Sequence, residues 1–469
     1  MTGAPGAGEA RTEGAAGAAG FGAFVARAHA AGSLVVQPRM GMSRPALMRA
    51  GLLATRRATA TTVGTVTIDS YTRTGDIAAA RRAVAEGRDL NGYPLTCYGP
   101  GTTREVLGGV AGPRFPVQVR HGSPRPEHIV RALLAAGLTA TEGGPVSYCL
   151  PYSRVPLADA VRSWERSCRT LAEARGQGPE PHLETFGGCM MGQLCPPGLL
   201  VAISVLEALF FRRHGLRSVS LSYAQQTSPA QDEEAVTALG RLAAELLGDT
   251  EWHLVIYTYM GVFPRTAGGA ALLQRDAARL AVRTGAARLI VKTAAEAHRI
   301  PSVEENVAAL ESTYRQAGLE QRERTAPPAD TGIYAEARAL VEAVLCLDAD
   351  PGRALVRAFA RGYLDVPYCL HPDNARRSRS CLDGAGRLQW ADAGAMPVGR
   401  RPAGGPAALD SAGLLRALGR VSAEYDRRAA TGPAGGTPPA PGRPPDTAAR
   451  TGPGPPRPRD TTAAASRLR

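Results

Sequence analysis

Short β-branched runs alternate with longer segments of helical period from about residue 33 to residue 292, and no other feature constrains the fold of this chain as tightly. The candidate strands are Ser33–Pro38, Val63–Asp69, Asn91–Leu95, Pro116–Arg120, Leu138–Glu142, His182–Phe186, Ser218–Ser222, His253–Tyr257 and Leu289–Lys292. Between them, Asp76–Glu86, Pro126–Ala136, Leu157–Ala174, Leu199–His214, Gln231–Leu247 and Ala270–Arg283 carry apolar residues at helical spacing. Strand followed by helix, repeated to about residue 310, predicts an α/β fold of the (β/α)8 TIM barrel kind rather than an open sheet covered on both faces. The dinucleotide-binding open sheet would place Gly-x-Gly-x-x-Gly after an early strand, and the sequence has none there. A barrel of this kind closes with eight strands. One of the nine runs, the one around Asn91 or an edge segment, is therefore expected outside it.

Composition sets the boundaries. Residues 1–20 are an Ala/Gly-rich stretch and residues 427–469 are rich in Pro, Gly, Thr and Arg, so both ends are expected to be disordered. Residues 21–310 then form the catalytic barrel, and residues 311–426 a C-terminal α+β extension packed on it. The tail holds eight Arg against Asp446 and Asp460, so +6 of the formal +13 belongs to it. What remains is too dilute for nucleic-acid binding, and no stripe interleaves basic with aromatic residues. The longest apolar run, Leu199 to Phe211, is broken by Ser204 and Glu207 and falls short of the roughly 18 residues of a membrane span. The N-terminus lacks a basic region followed by an apolar one, so a cytoplasmic protein is expected. Eight cysteines without a CxxC or paired histidines fit reduced thiols and no metal site.

Charged residues gather just after the candidate strands, which in a barrel is the catalytic face. Arg39, Arg73 and Arg120 follow three of them, and guanidinium forks bind carboxylates in pairs, so a dicarboxylate substrate is expected. Glu142, before two glycines, is the catalytic candidate: it can accept from a substrate ammonium, move a proton, or pair with an arginine. Tyr148 and Tyr152 either wall the pocket or are ordinary half-buried tyrosines. His121 stands between a structural and a site role, and no ligand-spaced His or Cys supports a metal. In Gly187-Gly188-Cys189-Met190-Met191-Gly192-Gln193-Leu194-Cys195-Pro196-Pro197 the glycines are expected to let a large ligand approach the backbone, with Cys189 and Cys195 as buried thiols. Of the 55 Lys and Arg residues one is a lysine, Lys292. A compact ammonium with a tunable pKa offers what a guanidinium does not, and Glu296 one helical turn later is placed to share a ligand with it.

Taken in order, these runs resemble the large (epsilon) subunit of glutamate mutase, or methylaspartate mutase, over about residues 20 to 400. The resemblance rests on Gln37-Pro38-Arg39-x-Gly41, Thr67-Ile68-Asp69-x-Tyr71-Thr72-Arg73, Leu90-Asn91-Gly92, Gln118-x-Arg120-His121-Gly122, Glu142-Gly143-Gly144-x-x-Ser147-Tyr148-x-x-Pro151-Tyr152, Met260-Gly261-x-Phe263-Pro264 and Val291-Lys292-Thr293-x-x-Glu296-Ala297-x-x-Ile300-Pro301. It implies a barrel mouth facing adenosylcobalamin carried by a separate small cobalamin-binding sigma subunit, whose Asp-x-His-x-x-Gly motif this chain lacks. A heterotetramer of two large and two small subunits is the family expectation. By resemblance Arg39, Arg73 and Arg120 grip the carboxylates of L-glutamate with His121 beside them, and Glu142, Tyr148 and Tyr152 hold the amino group and the rest of the pocket. Gly41, Asn91, Pro151, Phe263, Lys292, Glu296 and Ile300 contact the coenzyme, Lys292 and Glu296 near the adenosyl ribose, at the strand end opposite the arginine cluster.

The implied chemistry is a radical rearrangement of glutamate to 3-methylaspartate, an isomerase reaction in which each of two fragments keeps one carboxylate. The chain departs from clostridial members at Tyr257-Thr258-Tyr259, where they read His-Gln-Trp. Competing readings are a mutase for a related amino dicarboxylate, a cobalamin-independent barrel lyase with Lys292 as Schiff-base amine, and a non-catalytic binding subunit.

Overall fold

The computed structural model describes residues 20–190, 194–320, 328–399 and 409–431. Residues 1–19, 191–193 and 432–469, and with them most of the expected disorder and part of the Gly187–Pro197 segment, lie outside the described residues.

Eight parallel strands form one sheet: β1 (Val35–Pro38), β2 (Gly64–Thr67), β3 (Val117–Arg120), β4 (Ala140–Glu142), β5 (His182–Glu184), β6 (Ser218–Ala224), β7 (Glu251–Tyr257) and β8 (Arg288–Val291). Their order is β1-β8-β7-β6-β5-β4-β3-β2. A parallel bridge between Val36 and Thr62, with Val36 N donating to Thr61 O at 2.9 Å, brings β1 to the approach of β2 and completes the (β/α)8 barrel. The sheet is buried on both faces except at the start of β7 and the end of β2, as expected where helices cover the outside. The ninth candidate, Asn91–Leu95, is no strand. It makes a single bridge, Tyr93 to Ile68, because Gly92 packs where a Cβ would meet Ile68 O at 2.4 Å and Pro94 has no N–H to extend the ladder.

The surrounding helices bury one stripe each. In Leu157–Glu173 the stripe is Leu157, Val161, Trp164, Cys168 and Leu171, spaced by three or four residues. Helix Pro197–Arg213 opens with Pro197 at its first turn and is buried almost all round, because helices Ile333–Leu345 and Pro351–Arg361 of the extension cover its outer face. The extension also carries an antiparallel hairpin, β9 (Arg379–Leu382) with β10 (Leu388–Asp392). Residues 427–431, expected in the disordered tail, continue helix Ser411–Thr431. Tyr425 anchors that helix through Asp276 at 2.8 Å, and Asp426 accepts from Arg265 N and Thr266 N at 3.0 Å, so packing carries it beyond where composition turns low-complexity. Among the described residues no helix is long and apolar enough to cross a membrane.

Candidate active site at the barrel mouth

The barrel interior is polar above its floor. Phe21, from helix Phe21–Ala30, stacks on His182 at 5.1 Å between ring centroids, and His182 stacks on His253 at 5.2 Å. Above them Arg288 from β8 bonds Glu184 of β5 and Gln37 of β1 and reaches Ser220 Oγ at 3.1 Å. Gln37 Nε2 donates to Thr65 Oγ1 at 2.9 Å and Gln118 Oε1 at 2.8 Å, and Gln118 Nε2 donates to Glu184 Oε2 at 3.2 Å. The fully buried Arg288–Glu184 pair thus has most of its donors and acceptors met, the condition under which a buried ion pair is tolerated. Burial alone would raise the Glu184 carboxyl, but the Arg288 charge and the Tyr257 hydroxyl outweigh it and hold Glu184 below its usual range.

One layer higher, Arg120 Nε donates to Glu142 Oε2 at 2.6 Å. The phenol of Tyr257 bridges Glu142, at 2.7 Å, and Glu184, and Tyr148 donates to the other oxygen of Glu142. Burial and the neighbouring Glu142 charge push both phenols well above the usual tyrosine range, so both stay protonated donors. Glu184, Tyr257 and Arg288 were not singled out from sequence. Their signal was present for Tyr257, at the point of departure from the clostridial pattern, and absent for the other two.

Over this layer opens a cavity of about 240 Å³ that brings together Arg39, Arg73, Arg120, His121, Glu142, Tyr148, Tyr152 and Asn91. Arg73 has no ion pair among the described residues and stands on the short helix Ser70–Thr74, capped by Asp69, which accepts from Thr72 N at 3.0 Å. His121 stacks on Trp164 at 5.6 Å, and burial, with His128 nearby, takes its pKa down to about 3. Its Nδ1 accepts from Ser123 N at 3.0 Å, which puts the ring proton on the buried Nε2, on the side of the Glu142 backbone. Thr67, also on the lining, keeps its Oγ1 buried and without a hydrogen-bond partner among the described residues.

Gly41, Pro151, Phe263, Lys292, Glu296 and Ile300 are not on that lining. Gly41 packs on the end of β2, where a Cβ would meet Thr67 O at 2.2 Å. Pro151 follows in the β4 loop beside the half-exposed Tyr152, and Ile300, after β8, is 65% exposed. Lys292 directly follows β8, 6% exposed, with Nζ 3.2 Å from Tyr259 O, 3.6 Å from Glu296 and 4.7 Å from the Phe263 ring centre. Burial, with Arg39 nearby, lowers its pKa to about 8 against the pull of Glu296.

Two expectations are corrected. Lys292 is not opposite the arginine cluster: β8 pairs with β1, and Arg39 NH1 lies 3.0 Å from Glu296 Oε2. The glycines at 187 and 188 do not clear space for a ligand. A Cβ at Gly187 would meet Ser204 N at 2.6 Å and one at Gly188 would collide with Ser222 O, so both serve helix and strand packing. Cys189 and Cys195 are buried, and burial pushes both thiols well up, away from nucleophilic use.

A family model described as Methylaspartate mutase E chain (MutE) matches residues 18–402. The glutamate mutase epsilon subunit of Desulfitobacterium hafniense (strain Y51) is 32% identical over 349 residues, 71% of each chain. That of Escherichia coli O157:H7 is 31% identical over 349 residues, 71% of this chain and 72% of the relative. The subunit of the same name from Halobacterium salinarum is 33% identical over 344 residues, 71% of each. With this fold and this cavity in place, the chain belongs to the methylaspartate mutase E chain family, a family of isomerase subunits.

Proposed function

We propose that this chain is the large, substrate-binding subunit of an adenosylcobalamin-dependent mutase that interconverts L-glutamate and (2S,3S)-3-methylaspartate together with a small cobalamin-binding sigma subunit. The observation that carries the substrate is the cavity itself: three arginines around one acid, with Arg73 in no ion pair among the described residues. Glutamate supplies two carboxylates for the guanidinium forks and an ammonium for Glu142. The Arg120–Glu142 contact is then a preset template, since each group keeps bonding capacity beyond the one it spends on the other.

The residues at β8 suit the coenzyme. Lys292 and Glu296 offer a donor and an acceptor side by side, fitting a ribose diol, while Phe263 backs them and the exposed Ile300, Val262 and Tyr152 give apolar area for a large flat group. When bound, adenosylcobalamin supplies the radical that removes and returns a hydrogen of glutamate. The chain's own part is to hold both carboxylates while the carbon skeleton rearranges, to keep water from the cavity, and to steady the amino group through Glu142, Tyr148 and Tyr257. A Schiff-base role for Lys292 draws support from its lowered pKa, but its ammonium is occupied by Glu296, Tyr259 O and Phe263.

The deciding experiment mixes this chain with a competent small subunit, adenosylcobalamin and L-glutamate, and follows mesaconate absorbance after coupling to methylaspartase. Turnover that requires the coenzyme is expected. No signal overturns the reading, and borohydride trapping of Lys292 by substrate without cobalamin would replace it with the lyase.

A further inference from the structure

Beyond the cavity, one buried acid reaches toward it from the outer ring of the barrel. Glu207 lies midway along helix Pro197–Arg213, is fully buried and pairs with no cation among the described residues. Its carboxyl gathers four donors from two loops. Oε1 accepts from Val146 N at 3.2 Å and Ser147 N at 2.9 Å; Oε2 accepts from Ser147 Oγ at 3.0 Å and Phe186 N at 3.3 Å. Val146 and Ser147 belong to the loop after β4, and the next residue is Tyr148, whose hydroxyl meets Glu142. Phe186 follows β5, and its ring packs on Tyr148 at 5.0 Å. The loop comes this close because residue 144 is glycine: a Cβ there would stand 2.0 Å from Glu207 Oε1.

No helical hydrogen bond or apolar packing calls for an acid at this position. Burying one is costly unless its bonds are met, and all four donors here come from the loops that wall the cavity. The contact set also survives protonation. Burial lifts the carboxyl to about 7. As a neutral acid it still accepts both amides on Oε1, while Oε2 accepts Phe186 N and donates to Ser147 Oγ.

We propose that Glu207 is a positioning residue: it fixes the loop 144–148 against the segment after β5, sets the Tyr148 hydroxyl on Glu142, and thereby sets affinity for the amino dicarboxylate. The inference rests on the glutamate reading above and adds to it a residue that touches neither substrate nor coenzyme.

The test is a double-mutant cycle read by calorimetric titration of L-glutamate into the full chain, alone and with its small subunit. Glu207→Leu and Tyr148→Phe are each expected to raise Kd about tenfold, and the double variant to be within about twofold of the worse single one, since both remove the same Tyr148 contact. Glu207→Gln, which keeps the acceptor for the two amides of residues 146 and 147, stays within about threefold of wild type. Gly144→Ala pushes the carboxyl away from the loop side and repeats the Glu207→Leu loss, which keeps the test open if that variant does not fold. Additive losses, or wild-type affinity in Gly144→Ala, overturn the positioning role and leave the substrate reading intact. Absence of glutamate binding by the wild-type complex overturns both.

Discussion

Tyr257 has one phenolic proton and two carboxylates within its reach, Glu142 above and Glu184 below. It therefore joins the substrate cavity to the Arg288 layer, and whichever acid it does not donate to keeps its other donors, Arg120 and Tyr148 for Glu142, Arg288, Gln118 and Ser220 for Glu184. Replacing it by phenylalanine removes the one proton the two acids share. Tyr257→Phe is expected to lower stability by about 1–3 kcal/mol in urea unfolding and to weaken glutamate binding, whereas the same change at a surface tyrosine would do neither. An unchanged unfolding midpoint would show that the phenol spends its proton elsewhere. Sequence made the neighbouring residues legible because they stood in quoted runs at strand ends. Glu184 and Arg288 escaped notice because their role comes from the closed barrel, which brings β5 and β8 across one interior; no spacing along the chain records that.

Among the elements, the five-residue helix Ser70–Thr74 has most to do with the least packing of its own. Only Thr72 is buried in it, so its shape depends on its ends: Asp69 caps the start and Gly75, at φ 85°, closes it in the left-handed region where glycine is at ease. Asp69→Ala should cost about 1–2 kcal/mol and raise the Kd for glutamate by releasing Arg73, while Asp69→Asn, which keeps an acceptor for Thr72 N, restores most of both. Equal binding in the alanine and wild-type chains would mean that Arg73 does not act from this helix. Elements of this size are poorly legible in advance. Eight of the nine candidate strands were placed within a few residues because β-branched runs buried on two faces repeat around the sheet. The run at Asn91 failed for want of a backbone partner, and the short helices Ser70–Thr74 and Pro100–Leu107 carry too few turns to show a period.

At the scale of the molecule, buried titratable groups set a distinct response to acid. Burial takes the His121 and His182 pKa values down to about 3, that of His253 well below its usual range and those of His128 and His214 down as well, so each unfolds into a form that binds a proton below its ordinary 6.5 and loses stability as pH falls. Glu207 at about 7, Asp232 at about 8 and Glu336, also raised by burial, act in the opposite sense, gaining stability as pH falls toward their ordinary 4.5 or 3.8. Five histidines stand against three acids, so stability should fall only gently between pH 6.5 and 4.5. Below 4.5 Glu207 and Glu336 cease to compensate, Glu184 is drawn toward protonation, and the slope should steepen by about 1.4 kcal/mol per pH unit for each uncompensated proton. Urea unfolding at pH 6.5, 5 and 4 checks this, and a loss per pH unit as steep above pH 5 as below it would count against the compensating acids.

The burial of Lys292 has a practical consequence for the same barrel. Because it is the sole lysine and only 6% exposed at the end of β8, a protease that cuts after lysine finds its one site closed while the sheet is intact. Opening of the barrel exposes it, and cleavage yields two fragments, residues 1–292 and 293–469. When reclosing outpaces cutting, the rate at which they appear reads the open fraction directly, and ligands that bind the mouth should slow it in proportion to their affinity. The chain thus carries, in one side chain, its own gauge of how often the barrel comes apart.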